Sequence, residues 1–75
     1  MQNDEWTKRA RGVVKGELAR RDISYTVLAE RLRGMGIDDT PQNLSNKINR
    51  GTFSAAFFLQ VMHAIGVRRV DLDFD

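Results

Sequence analysis

Apolar residues recur at three- and four-residue spacing in four separate stretches of the chain. That spacing is the period of an amphipathic helix. The pattern therefore predicts four helices, at about residues 4–21, 24–33, 40–50 and 54–65. The first carries one apolar stripe, and the third carries only two bulky apolar residues, Leu44 and Ile48. The fourth is apolar nearly all the way round, which is typical of a helix at the centre of a core or in an interface.

Start and stop signals support these limits. Gly51 and Gly66 follow the third and fourth helices, as C-terminal glycines often do, and two glycines follow the second helix in "RGMGIDD". Gly12 and Gly16 lie inside the first helix, where each costs about 1 kcal/mol or else permits a neighbouring helix to approach closely. Three helices are preceded by residues with a good N-cap side chain: Ser24, Thr40 and Ser54.

The last nine residues alternate in polarity. Val70, Leu72 and Phe74 alternate with charged neighbours in "VRRVDLDFD". This pattern fits either a short extended strand or a frayed terminus. We therefore expect a single all-α domain over residues 1–75, with a flexible start at 1–4 and an extended tail at 67–75.

Composition narrows the class of protein. The chain has no cysteine, which excludes disulfides and thiolate chemistry, and no apolar run approaches the roughly 20 residues of a membrane span. The N-terminus lacks the apolar segment of a secretory signal, so a cytoplasmic protein of bacterial type is expected. The net charge is only +2, but residues 40–70 hold four cations and no acid. A basic surface of this kind favours nucleic acid or another anionic partner.

The third helix has an unusual outer face. On a helical wheel, the side opposite Leu44 and Ile48 carries Gln42, Asn46 and Asn49. Asparagine is a mediocre helix former, so local propensity does not explain this choice. An amide offers a donor and an acceptor side by side, which matches the major-groove edge of adenine. The sequence alone leaves two interpretations open: a DNA-reading helix and a merely soluble polar helix.

Two longer motifs carry a resemblance. "ISYTVLAERL" resembles the entry to the second helix of lambda-repressor-like helix-turn-helix domains, and "FSAAFFLQVMHAIGV" resembles their next helix. More narrowly, residues 6–72 resemble a family of small bacterial domains of unknown function assigned to that group, with "NKINRGTFSAAFFLQ" the most specific segment. The chain departs from the pattern in two places. Tyr25 stands where the family often has Gln, and residues 33–39 form a longer connection before the third helix.

The resemblance implies a compact four-helix lambda-repressor-like domain that binds double-stranded DNA as a transcriptional regulator, associated with the nucleoid when bound. The third helix would enter the major groove with its N-terminal part deepest. Base contacts would then come from Thr40, Gln42, Asn43 and Asn46. Phosphate contacts would come from Ser24, Tyr25, Lys47, Asn49, Arg50 and Thr52. Four cations of the first helix, by contrast, are expected to form a solvated face: Lys8, Arg9, Arg11 and Lys15.

Other functions have weaker support. His63 is the only histidine and lies in an apolar helix, so we expect a half-buried structural side chain rather than a catalytic base. The sequence predicts no enzyme, cofactor, metal site or small-molecule substrate. The main alternative is a protein-interaction module on the same fold, such as an antitoxin or a complex subunit. A surface for a second protomer or for another protein is predicted on the fourth helix at Ala55, Phe58, Leu59 and Met62.

Overall fold

A computed structural model describes residues 4–72 of the chain. It has four helices: α1 (Asp4–Arg20), α2 (Tyr25–Gly34), α3 (Pro41–Arg50) and α4 (Ala55–Ala64). The predictions of an all-α compact fold and of four helices at these places are confirmed. α3 packs against α1 and α2, and α4 packs against the same two helices.

The three predicted N-caps are confirmed. The hydroxyl oxygens of Ser24, Thr40 and Ser54 accept hydrogen bonds from the backbone N–H groups of Val27, Asn43 and Phe57, at 3.2, 3.1 and 3.0 Å. Each bond satisfies a donor that the first turn of a helix leaves without an intrahelical partner. The start of α2, α3 and α4 is therefore fixed by a single local side chain.

Three helices end in the same way. The N–H groups of Ile23, Ile37 and Val67 donate to carbonyls five residues earlier, at the ends of α1, α2 and α4. The residue before each has a positive φ: Asp22, Gly36 and Gly66. This is a Schellman ending, in which a left-handed residue turns the chain and an apolar residue follows. All three apolar residues pack against the core.

Ten residues form the buried core, and all four helices contribute to it. The set is Val14, Leu18, Leu28, Ala29, Leu32, Leu44, Ile48, Val61, Met62 and Ile65. Leu44 and Ile48, the only core residues of α3, are both 0% exposed. The remaining side chains of α3 are therefore presented at the surface, in an orientation set by these two contacts.

The tail forms no strand within the described residues. Residues 67–72 have no regular secondary structure, although Val67 and Val70 pack against the core. The strand interpretation is therefore wrong for these six positions. The remainder of that predicted strand, residues 73–75, lies outside the described part of the chain.

Two further interpretations of the sequence, one about glycines of α1 and one about His63, are corrected. Added Cβ atoms at Gly12 and Gly16 would meet nothing within 4 Å, so these glycines permit no close helix approach. The close approach occurs instead at Gly51, where the chain passes the backbone of Thr7. His63 is exposed, not half-buried, because it lies with Leu59 on the outward line of α4.

Candidate nucleic-acid interface

The outer face of α3 presents a cluster of amides to solvent. Gln42, Asn43 and Asn46 are all exposed, and Nε2 of Gln42 donates to Oδ1 of Asn46 at 3.3 Å. That bond leaves the carbonyl oxygen of Gln42 and the amino group of Asn46 available to a ligand. Thr40 is also exposed, although its hydroxyl oxygen already caps the helix. The structure thus brings the four predicted base-contacting residues together at one surface.

One edge of this face contains an ion pair that the sequence analysis did not predict. Oδ2 of Asp39 lies 2.8 Å from Nζ of Lys47, and Oδ1 of the same carboxylate accepts the Thr40 N–H at 3.0 Å. The Lys47 hydrogen bond is the main reason that the pKa of Asp39 is lowered. The Thr40 N–H, the Lys47 charge and the Asn43 side chain lower it further, against partial burial. The Lys47 ammonium also lies 5.2 Å from the centre of the Phe57 ring.

A polar cleft opens where α3 ends and α4 begins. Its volume is about 210 Å³, and its lining includes Lys47, Arg50, Thr52 and Ser54 beside two aromatic rings. The guanidinium of Arg50 has no ion pair or hydrogen bond with any other described residue. The first-turn N–H groups of α4 add partial positive charge at this end of the cleft. The cleft can therefore accept an anionic group.

The opposite edge of the face is bordered by cations from α1. Nη1 of Arg11 donates to the backbone carbonyl of Asn49 at 3.0 Å, and Nζ of Lys15 donates to Oδ1 of Asn49 at 2.9 Å. Asn49 in turn donates to the hydroxyl of Ser45 at 3.1 Å. Arg11 and Lys15 thus lie beside α3 rather than on a separate solvated face. The predicted phosphate contact Asn49 has most of its polar atoms engaged within the chain.

The start of α2 lies beside Lys15. Ser24, Tyr25 and Lys15 line a shallow cleft of about 220 Å³ between α1 and α2. The Ser24 hydroxyl caps the helix, and the half-buried Tyr25 ring packs against the core. Of the predicted phosphate-contacting residues, Ser24 and Tyr25 therefore lie near the α1 edge of the face. The exposed residues Lys47, Arg50 and Thr52 lie at the polar cleft between α3 and α4.

An apolar surface lies next to the cleft. A groove of about 390 Å³ runs between α1, the start of α4 and Leu72, and it shares Phe53 and Ser54 with the cleft. Trp6 and Leu72 at this groove are 61% and 62% exposed, and Leu59 on α4 is 64% exposed. The predicted partner surface on α4 is divided by the structure. Ala55 and Leu59 are exposed and Phe58 is half-buried, but Met62 is 4% exposed, because it lies on the core side with Val61 and Ile65.

No helix within residues 4–72 is long and apolar enough to cross a membrane. Within the same residues, no three or more His, Cys, Asp or Glu side chains are grouped so that they could hold a metal ion.

The fold and this surface define a class: a small four-helix domain with an exposed amide-rich helix bordered by cations. A profile of the family described as "Domain of unknown function (DUF6471)" matches residues 6–70. The chain therefore belongs to this family. Searches of curated proteins and of solved structures found no significant match.

Proposed function

We propose that this protein is a DNA-binding regulator of transcription in which α2 and α3 form a helix-turn-helix unit of the lambda-repressor type. The observation that carries the proposal is the outer face of α3. Gln42, Asn43 and Asn46 are exposed there, while the opposite side of the helix is buried through Leu44 and Ile48. An α-helix fits the major groove, and paired amide donors and acceptors match base edges there.

The charges on both sides of α3 support the same proposal. A helix in the major groove has a phosphate backbone on each side of it. Arg11 and Lys15 border α3 on the α1 side, while Arg50 borders it on the cleft side, beside the Lys47–Asp39 ion pair. Cations on both edges suit the two backbones, and phosphate contacts of this kind fix the orientation of the helix without reading sequence.

One observation favours a second candidate function. The exposed side chains of Trp6 and Leu72 line one apolar groove together with Ala55 and Phe58 of α4, and adjoining exposed apolar side chains are typical of interaction sites. Such a surface suits a protein partner, either a second protomer on a paired DNA site or an unrelated chain bound by an interaction module. We propose the DNA-reading function first because the apolar surface is compatible with both, whereas an interaction module needs no amide face.

The test is selection of binding sites from random duplex DNA at two salt concentrations. Gln42→Ala and Asn46→Ala should each cost about 1–3 kcal/mol on the selected site and relax its sequence preference. Arg50→Ala should weaken binding to all sequences alike, because it removes a phosphate contact. Gln60→Ala, which removes an amide from α4, is the matched control and should change neither property.

An NMR titration with duplex DNA at low salt would contradict the proposal if the backbone amides of residues 40–52 do not shift. Analytical ultracentrifugation separates the partner models. Self-association that Leu59→Glu abolishes would indicate a second protomer at the apolar surface. A monomer at high concentration that also fails to bind DNA would favour a different protein partner.

A further inference from the structure

Asp39 occupies an unexpected place for an acid. It precedes the N-cap of α3, its side chain is only 10% exposed, and its carboxylate bridges the Thr40 N–H and the Lys47 ammonium. The carboxylate is thus held at the border of the proposed DNA-binding face. A fixed negative charge there opposes phosphate binding.

Lys47 differs from the other cations of this surface. Within residues 4–72, no carboxylate forms an ion pair with Arg11, Lys15 or Arg50. The ammonium of Lys47 is held between the Asp39 carboxylate and the Phe57 ring. A phosphate contact by Lys47 would therefore compete with a 2.8 Å ion pair.

We propose that Asp39 limits the affinity for DNA: it keeps Lys47 from the DNA backbone and so weakens sequence-independent binding. This inference rests on the DNA-binding function proposed above. Phosphate contacts supply nearly all non-specific binding, so one cation fewer weakens it directly. The side chains of Gln42 and Asn46 bond to each other and not to either member of the pair.

A purely structural role for Asp39 predicts the opposite result. The carboxylate accepts the N–H of the N-cap residue and lies near the positive end of the α3 dipole. If it served only to stabilise α3, its neutralisation would loosen the helix and weaken DNA binding. The sign of the change in affinity therefore separates the two roles.

The experiment measures binding to a random-sequence duplex as a function of salt, with Asp39→Asn and Glu5→Gln. Glu5→Gln is the matched control, because it raises the net charge equally but removes an acid paired with Arg9, which lies on the groove side of α1. Asp39→Asn should raise non-specific affinity roughly 5- to 10-fold at about 0.1 M salt and steepen the slope of log K against log salt by about 0.9. Glu5→Gln should leave the slope unchanged.

A second variant keeps the inference testable if Asp39→Asn is poorly folded by circular dichroism. Lys47→Gln in the wild-type background should leave the slope unchanged, and Asp39→Asn with Lys47→Gln should restore the wild-type slope. The inference is overturned if Asp39→Asn folds but binds DNA with unchanged or weaker affinity. It is also overturned if Lys47→Gln alone reduces the slope of log K against log salt by about 0.9. In both cases the DNA-binding function survives if Gln42→Ala still relaxes preference. No binding by any of these proteins overturns both.

Discussion

The backbone of Gly51 lies directly against the backbone of Thr7. A Cβ placed on Gly51 would fall 2.4 Å from the Thr7 carbonyl oxygen, and the residue has φ +74°. Two independent requirements thus meet at one position, the left-handed conformation that ends α3 and the space for α1 to pass. The position and tilt of α3 against α1 depend on this glycine.

Replacement of Gly51 should be among the most damaging single changes in the chain. We expect Gly51→Ala to lower the free energy of unfolding by about 3 kcal/mol, since conformational strain and steric overlap add. Gly66→Ala is the matched control, because Gly66 has φ +78° but open space around a Cβ, so only the strain of about 1–2 kcal/mol applies. Urea unfolding measures both. Equal losses in the two variants would show that the contact with Thr7 has no energetic weight.

The glycines inside α1 should behave in the opposite way. A Cβ on Gly16 meets nothing within 4 Å and the residue is helical, so Gly16→Ala should stabilise the protein by about 0.5–1 kcal/mol. In a domain of this size that gain corresponds to a rise in Tm of roughly 2–8 °C. Thermal unfolding followed by circular dichroism checks it. A fall in Tm would mean that Gly16 has a packing role that the structure does not show.

Acid should destabilise the protein through two carboxylates. The hydrogen bond from Arg20, together with the charges of Arg20 and Arg21, lowers the pKa of Glu17 below its ordinary 4.5 despite burial, and Lys47 does the same for Asp39, whose ordinary pKa is 3.8. A carboxyl group whose pKa is lower in the folded state than in the unfolded state stabilises the fold above the unfolded-state pKa. This stabilisation is lost as the pH falls through the folded-state pKa.

The free energy of unfolding should therefore be nearly constant from about pH 7 to about pH 5.5 and should fall at lower pH. Urea titrations across this range provide the measurement. Glu17→Gln should make the fall shallower, because one of the two depressed carboxyls is gone. A profile that Glu17→Gln leaves equally steep would assign the acid sensitivity to other groups.

The cations of α1 give a prediction about the second DNA backbone. Lys15→Gln and Arg11→Gln should each reduce the slope of log K against log salt by about 0.9 and weaken all duplexes alike. Arg9→Gln is the control on the same helix, since Arg9 pairs with Glu5 and borders the apolar groove. If both variants keep the wild-type slope, Arg11 and Lys15 do not contact DNA phosphates and only hold the C-terminal end of α3.

Much of the fold follows from local signals. Ser24, Thr40 and Ser54 can each cap a helix with atoms from their own segment, so the sequence places these starts within a residue. The burial of Leu44 and Ile48 also follows from their four-residue spacing. These features depend only on residues within one helical turn, so they follow from the sequence without the tertiary structure.

Features that depend on contacts between segments could not be read from the sequence in the same way. A glycine needed for close approach looks the same in sequence as a helical glycine, so the sequence allows such an approach at Gly12 and Gly16 and does not single out Gly51. Asp39 and Lys47 are eight residues apart, and only the path of the preceding connection brings them together. The arrival of Lys15 and Arg11 at Asn49 likewise depends on how α1 crosses α3.

The burial of α3 through only two core side chains, Leu44 and Ile48, has a consequence for dynamics. A helix of 10 residues is marginal in isolation, so α3 persists only while those two side chains stay in place. Its deepest amide protons should then exchange with solvent at the rate of global opening rather than by local fraying. The amide cluster cannot unfold separately from the core. A substitution far from α3 that destabilises the core will therefore also disorder Gln42, Asn43 and Asn46.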